Sequence, residues 1–214
     1  MVLGSDQKTY SGLVYEILDD ILAVTGDTVQ PVYLPAPRIF SGISDGDIDL
    51  DIFSNPEWRK EFAQDSIYTV PYLSTRNYLV YRRDHPGIIK DIGDLTGKTL
   101  LLTLGFTYRE VDKLVADGTI KREDAPSTAQ LLKMLDVGHG EVGIVDGAVF
   151  YELARKNKLT SLILGFPTTS PTEVRMRFPK RMASTVTRFN AAIELLRKNG
   201  TLKRLLAKYG ISRQ

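Results

Sequence analysis

The sequence predicts an α/β protein built as two lobes, and three observations lead to that prediction. Residues 99–104 form a nearly continuous apolar run followed by Gly105, as in a strand buried on both faces of a parallel sheet. From there to residue 156, short apolar strands alternate with amphipathic helices, which indicates βαβ units. Residues 78–83 are typical of a strand, and the sequence pattern before them differs from the pattern after them. We therefore predict that strand 78–83 carries the chain from one lobe to the other, with a ligand cleft at the crossing.

The spacing of apolar residues and the capping signals place the remaining elements. Turn residues His85, Pro86 and Gly87 end the strand 78–83. The predicted helices span residues 13–26, 38–44, 105–116, 127–137, 147–156, 183–198 and 202–209. The predicted strands span residues 29–34, 48–53, 78–83, 99–104, 143–145, 161–164 and 174–178.

Composition excludes several classes of function. The chain has 214 residues, and its 28 basic and 26 acidic residues are interspersed, so no basic face for nucleic acid is evident. No apolar run approaches the roughly 20 residues of a membrane span, and no signal peptide is recognisable. The sequence has no cysteine and two histidines without ligand spacing. We therefore expect no metal and no cofactor.

The segment after the apolar run is a candidate anion site. If a helix begins at Gly105, Phe106 and Thr107, its first amides have no partner within the helix and favour a carboxylate or phosphate. The alternative is a simple strand-to-helix turn with Thr107 as the cap. Local chemistry alone favours the simple turn, because every βα unit contains one.

Two charged residues are the other candidates. Arg59 lies in a short loop after a strand, where a guanidinium can bind a carboxylate through two parallel hydrogen bonds or can simply be solvated. Asp146 ends a strand and begins a helix. It suits an N-cap by residue type, and it could equally pair with a ligand ammonium group.

An ordered set of short motifs runs from about residue 10 to residue 210. It resembles the bacterial solute-binding proteins of ABC transporters, polar amino acid type (family 3). The matching positions are Gly12 to Glu16, Gly46 to Asp49, Ser54 to Arg59, Pro71 with Tyr72, Asp94 to Lys98, Gly105 to Thr107, Gly138 with Asp146, Phe189 to Ile193, Asn199 to Leu202, and Lys208 to Gly210.

That resemblance implies the periplasmic binding protein-like fold of type II, in which two crossover hinge strands join two α/β lobes that close on a ligand. Residues 1–81 and 176–214 would form lobe 1, and residues 82–175 would form the inserted lobe 2. The outward hinge strand, 78–83, would pair with the returning strand 174–178. Arg59, helped by Ser54 and by the helix-start amides near Thr107, would bind the ligand's α-carboxylate. Asp146 would bind the ammonium group, and the pocket would be lined by Phe53, Thr103, Phe106 and Tyr108.

The function implied is capture of an amino acid or similar zwitterion in the interlobe cleft, for delivery to an ABC permease in the membrane. The expected location is periplasmic or otherwise extracytoplasmic. One alternative is a ligand-sensing module of the same fold. Another is a dehydratase-like enzyme, although the available carboxylates, Asp51, Glu110 and Glu141, have no partner that the sequence identifies.

The sequence departs from the family at its start. The family's first strand and its aromatic segment have no equivalent before Tyr10, and the lobe 1 motif at residues 34–38 lacks the usual aromatic residue. The segment 49–59 is also about two residues shorter than in the best-known members. Without a first strand, a sheet edge would need covering or pairing. The chain is therefore expected to be a monomer, or a dimer if strand exchange compensates.

Overall fold

A computed structural model describes residues 12–32, 34, 36–84 and 89–209. The chain divides into two compact units. Unit 1 contains the residues up to Ser74 and those from Glu173 onward, and unit 2 contains Thr75–Thr172. The sequence predicts these two boundaries after residues 81 and 175.

The described part of unit 1 contains the helices α1 (Leu13–Thr25), α2 (Ala36–Asp45), α6 (Ala183–Lys198) and α7 (Thr201–Lys208). Of these, α1, α6 and α7 supply residues of the apolar core. The apolar face of α1 is buried, and the helix ends where Gly26 adopts a left-handed conformation (φ 72°) and donates its N–H to the Leu22 carbonyl. All four helices were predicted from the sequence, and the bounds of α6 are the predicted ones.

The sheet of unit 1 is built around its longest strand. Strands β1 (Asp51–Ser54), β2 (Ser66–Tyr68) and β3 (Leu73–Thr75) all pair with β9 (Thr172–Pro179). Val174, Met176 and Phe178 of β9 enter the apolar core. Because side chains alternate across a strand, the side chain of Arg177 lies on the opposite face of the sheet.

The first part of unit 1 differs from the prediction. The predicted strand 29–34 is absent over residues 29–32 and 34, and the predicted strand 48–53 is realised only as β1. Two polar residues of β1, Asp51 and Ser54, are buried. A cavity of about 440 Å³ lies in unit 1, lined by residues 27–32, 34 and 47–52 together with residues of α1, α2, β9 and α6. The predicted absence of a first strand before Tyr10 concerns residues 1–11, which lie outside the described part of the chain.

Unit 2 contains a mixed five-stranded sheet in the order β6-β5-β7-β4-β8. Its strands are β4 (Asn77–Arg82), β5 (Thr99–Thr103), β6 (Lys121–Ala125), β7 (Val142–Asp146) and β8 (Leu162–Pro167). Strand β5 runs parallel to both β6 and β7, which confirms the prediction of a buried parallel strand. The helices are α3 (Arg109–Ala116), α4 (Thr128–Asp136) and α5 (Gly147–Asn157).

The prediction for the crossover strand was wrong. Strand β4, which covers most of residues 78–83, pairs with β7 and β8 inside unit 2 and not with residues 174–178. The chain leaves unit 1 within β3 and returns within β9, two strands that pair with each other. The sequence signal of β4 is strong because its centre is buried, with Leu79 and Val80 fully enclosed. The predicted turn at residues 85–87 lies outside the described residues.

Two further predictions in unit 2 need correction. Strand β6 was not predicted, and the helix expected from residue 105 begins only at Arg109. Gly105 has a left-handed backbone (φ 79°), and Phe106 N–H donates to the Thr103 carbonyl, so residues 103–106 form a turn. Among the helices of the described residues, none is long and apolar enough to cross a membrane.

Candidate functional site

Arg59 is the predicted carboxylate-binding residue of unit 1, and one flat face of its guanidinium group lies on an aromatic ring. It lies in the 3₁₀ helix Pro56–Phe62, which Asn55 caps by accepting from Glu57 N–H at 2.7 Å. The guanidinium carbon is 3.6 Å from the centroid of the Phe40 ring, and Nη1 donates to the Trp58 carbonyl at 2.9 Å. Nε is buried and has no hydrogen-bond partner among the described residues. The group is therefore oriented and keeps an unused donor.

Charges of both signs surround Arg59. Burial lowers the pKa of Arg59, the Asp51 carboxylate raises it, the guanidinium of Arg177 lowers it again, and the Glu61 carboxylate raises it. The Asp51 and Glu61 carboxylates therefore offset part of the cost of burying the Arg59 guanidinium.

The other predicted residues of unit 1 lie close to Arg59 in the chain. Ser54 ends β1 and is fully buried, and its hydroxyl has no hydrogen-bond partner within the described part of the chain. The Phe53 ring stacks on Trp58 with 6.0 Å between the centroids. None of these three residues lines the 440 Å³ cavity.

Asp146 of unit 2 is the N-cap of α5, as its residue type predicted. Oδ1 accepts the N–H groups of Ala148 and Val149 at 2.9 and 3.2 Å, and Oδ2 accepts the Thr75 hydroxyl at 2.5 Å. Burial raises the pKa of Asp146 to about 6, although these three hydrogen bonds act in the opposite direction. No basic side chain forms an ion pair with Asp146 in the described residues. Its carboxylate therefore has hydrogen bonds but no counter-charge.

Thr103 and Tyr108 are brought together at the end of β5. The buried Tyr108 hydroxyl accepts the Thr103 N–H at 3.0 Å, and the Thr103 hydroxyl lies 3.0 Å from that of Thr128. Tyr108 is part of the apolar core of unit 2, and burial raises its pKa. Its hydroxyl fixes the turn that follows β5.

Replacing Tyr108 by phenylalanine should lower the free energy of unfolding by about 1–3 kcal/mol. The change removes the acceptor for a buried backbone N–H and leaves that donor without a partner. Urea unfolding followed by circular dichroism measures the effect. The same replacement at Tyr151, which is exposed on α5, is the control and should change stability by less than about 0.5 kcal/mol. Equal effects of the two replacements would contradict the structural role of the Tyr108 hydroxyl.

The turn at residues 105–107 differs from the predicted anion site. Phe106 is 40% exposed, with its ring 6.5 Å from that of Tyr108, and Thr107 is exposed and does not cap the helix. Helix α3 starts two residues after Thr107, and its first turn carries Glu110 and Asp112. These carboxylates already lie at the positive end of the helix, so the amides there are less favourable for a ligand anion than predicted.

Several residues near these candidates were not found by sequence reasoning. Thr75 is the last residue of β3 and Asn77 is the first residue of β4. Asn77 lies opposite Asp146 in the pairing of β4 with β7. Glu110 accepts from the Asn77 amide at 3.0 Å and from the Thr168 hydroxyl at 2.9 Å. In unit 1, Arg177 lies opposite Asp51 on one side and Tyr68 on the other. Only the strand register reveals these neighbours.

The carboxylates considered for an enzyme show no catalytic pairing. Glu141 forms an exposed ion pair with Lys98 at 3.0 Å, Glu110 is hydrogen-bonded to Asn77 and Thr168, and Asp51 accepts the Phe53 N–H at 3.2 Å. Within the described ranges, no group of three His, Cys, Asp or Glu residues is placed to hold a metal ion.

Comparison with known proteins agrees with the two-unit α/β architecture. An ancestral arginine-binding protein bound to arginine superposes with a TM-score of 0.81 at 20% identity, covering 97% of this chain and 91% of that one. The arginine-, lysine-, histidine-binding protein ArtJ of Geobacillus stearothermophilus gives a TM-score of 0.77 at 21% identity, with 96% and 88% covered. The fold is that of the type II periplasmic binding proteins.

Sequence comparison gives the family. The model for bacterial extracellular solute-binding proteins, family 3, matches residues 1–212, so the chain belongs to that family. The L-cystine-binding protein TcyA of Bacillus subtilis is 21% identical over 204 residues, covering 95% of this chain and 74% of TcyA. These relatives are named as binding proteins, which does not favour the sensor module.

Proposed function

We propose that the chain binds an amino acid or similar small zwitterion, with Arg59 taking the carboxylate and Asp146 the ammonium group. Arg59 carries most of the proposal, because its guanidinium is fixed against Phe40 while its Nε donor has no partner in the described structure. A planar guanidinium fixed in this way can bind a carboxylate at little entropic cost. Membership of the solute-binding family and the names of its relatives support an amino acid as the ligand.

Asp146 complements Arg59. Its carboxylate has no ion-pair partner among the described residues and is held in one orientation by α5 and Thr75. An ammonium group would supply the missing counter-charge, and charge-assisted hydrogen bonds of this kind are the strong ones. Phe53 and Ser54 from unit 1, and Thr103, Phe106, Thr107 and Tyr108 from unit 2, remain the proposed lining and support.

The role proposed for this binding is uptake: the protein captures its ligand outside the cytoplasmic membrane, in the periplasm or its equivalent, and delivers it to an ABC permease. Family membership supports both the location and the permease partner. We also propose that the chain is not an enzyme, since its named relatives are binding proteins and two of its candidate carboxylates, Glu110 and Glu141, are engaged elsewhere.

A thermal-shift screen over the twenty amino acids and cystine tests the proposal. A ligand present at 100 times its dissociation constant stabilises the folded state by about 2.7 kcal/mol, which corresponds to about 5–10 °C in Tm for a chain of this size. The matched control is the N-acetyl amide of the same amino acid, which lacks both charges and should give no shift. The proposal fails if no amino acid shifts the Tm, or if the blocked analogue shifts it equally.

A further inference from the structure

Arg177 is a fully buried cation that has been assigned no part in ligand binding so far. It lies in β9 with 0% of its surface exposed, on the face of the sheet opposite the apolar core of unit 1. Cross-strand neighbours whose Cα atoms are directly opposite project side chains to the same face. The register therefore aligns Asp51 of β1, Arg177 of β9 and Tyr68 of β2 in one row across the sheet.

The contacts of Arg177 connect this row to α2 and to the 3₁₀ helix. Nη1 donates to the Phe40 carbonyl at 2.7 Å, Nε donates to the Ser66 hydroxyl at 2.8 Å, and the Phe62 ring lies 5.2 Å from the guanidinium carbon. The Ser66 hydroxyl in turn donates to the Phe62 carbonyl at 2.7 Å. Arg177 thus fixes both the backbone of α2 at Phe40 and the end of the 3₁₀ helix.

Phe40 is the connection between the two arginines. Its carbonyl is bound by Arg177, and its ring is the surface on which the Arg59 guanidinium lies at 3.6 Å. The 3₁₀ helix carries Arg59 itself and has a non-helical backbone there (φ −131°, ψ 35°). The orientation of Arg59 therefore depends on two structural parts that Arg177 holds in place.

The polar atoms left over in this region argue against a purely packing role for Arg177. Arg177 Nη2, Arg59 Nε and Asp51 Oδ2 are buried and lack hydrogen-bond partners in the described residues. Each such atom costs free energy in a folded protein, and an apolar side chain at position 177 would avoid part of that cost. A costly arrangement of this kind is typical of functional sites, where strain is offset elsewhere in the fold.

We infer that Arg177 is the positioning residue of the carboxylate-binding site: through Phe40 and the 3₁₀ helix, it holds the guanidinium of Arg59 in the orientation that binds the ligand. This inference rests on the proposed function, in which Arg59 binds the carboxylate. Arg177 acts through Arg59 and does not itself touch the ligand.

A double-mutant cycle tests whether Arg177 acts through Arg59. With the amino acid found in the screen, Arg177→Met should weaken calorimetric affinity about 10-fold. Arg59→Met should weaken it about 100-fold, and the double variant should lose no more than Arg59→Met alone. Arg175→Met, on the same strand and bound to Glu173, is the control and should change affinity less than 2-fold. Arg177→Lys, which keeps the positive charge and one donating nitrogen, should recover part of the lost affinity and serves if Arg177→Met does not fold.

A second readout is independent of any ligand. The buried Arg59 Nε–H should give a resolved, slowly exchanging ¹⁵N–¹H signal in the wild type, and that signal should broaden or exchange faster in Arg177→Met and partly recover in Arg177→Lys. If the signal changes as expected but no amino acid binds the wild type, the positioning role stands and the proposed function fails. If the signal is unchanged, or the losses of affinity add in the double variant, the inference is overturned.

Discussion

Replacing Arg59 by methionine should weaken amino-acid binding about 100-fold and leave the fold intact. The loss corresponds to about 3 kcal/mol, the scale of a charge-assisted, two-point contact with a carboxylate. Methionine keeps an unbranched stem that can lie on the Phe40 ring, so packing changes little. Because burial lowers the pKa of Arg59, removing its charge also removes a desolvation cost, and the free energy of unfolding should not fall by more than about 1 kcal/mol.

Two controls make the Arg59 experiment specific. Arg59→Lys keeps a positive charge but loses the planar guanidinium with its parallel donors. Its affinity should therefore lie between those of the wild type and Arg59→Met, and much nearer that of Arg59→Met. The carboxamide of the same amino acid should bind the wild type weakly. Its affinity for Arg59→Met should be no lower than its affinity for the wild type. Isothermal titration calorimetry measures both, with urea unfolding as the stability check. Unchanged affinity in Arg59→Met would show that another group binds the carboxylate.

The elements that could be predicted from the sequence are those whose periodicity is set by one buried face. Helix α6 and strand β5 are examples, because apolar spacing alone determines which residues enter the core. Strand β6 was missed since its sequence, Lys121–Ala125, is mainly charged; as an edge strand beside β5 it is held by backbone pairing and can expose its side chains. The crossover was misplaced for the opposite reason: β4 has the stronger apolar signal, while the actual crossing strand, β3, has only three residues.

The candidate site, like the fold, could be predicted only in part from the sequence. The capping role of Asp146 follows from its residue type and its place after a strand, and the structure confirms the cap. The environment of Arg59 could not be predicted, because it depends on Phe40 from α2 and on Arg177, which is more than 100 positions away in the chain. An arginine within an alternating strand normally indicates a solvent-facing side chain. At position 177 it is buried because α2 and the 3₁₀ helix contact that face of the sheet.

Changing Asp146 to asparagine should abolish a pH dependence of stability that the wild type shows between about pH 4 and pH 6. Burial raises the pKa of Asp146 from 3.8 to about 6 in the folded protein. In that window the folded state binds more protons than the unfolded state, so the free energy of unfolding falls as the pH rises. A shift of roughly two pKa units corresponds to about 3 kcal/mol. Above pH 6 this contribution of Asp146 to the pH dependence ends.

Asp146→Asn should therefore be more stable than the wild type at pH 7.5, by up to about 3 kcal/mol, because asparagine remains a good N-cap without a buried charge. Urea unfolding from pH 4 to pH 8 measures this difference. Asp45→Asn, at an exposed position in unit 1, is the control and should keep the wild-type pH profile. An Asp146→Asn protein that retains the full slope between pH 4 and pH 6 would show that other groups cause it.

The same ionisation should control ligand binding. An ammonium group is attracted to Asp146 only when the carboxylate is ionised, so wild-type affinity should fall as the pH drops below 6, by up to tenfold per unit. At pH 7.5, Asp146→Asn should bind about 100-fold more weakly than the wild type, and near pH 5 the difference should shrink to about tenfold. Titration calorimetry at the two pH values measures this convergence. Equal losses of affinity at both pH values would show that a different residue binds the ammonium group. If the expected pattern is found, the buried charge that lowers the stability of unit 2 at neutral pH is the same charge that binds the ligand.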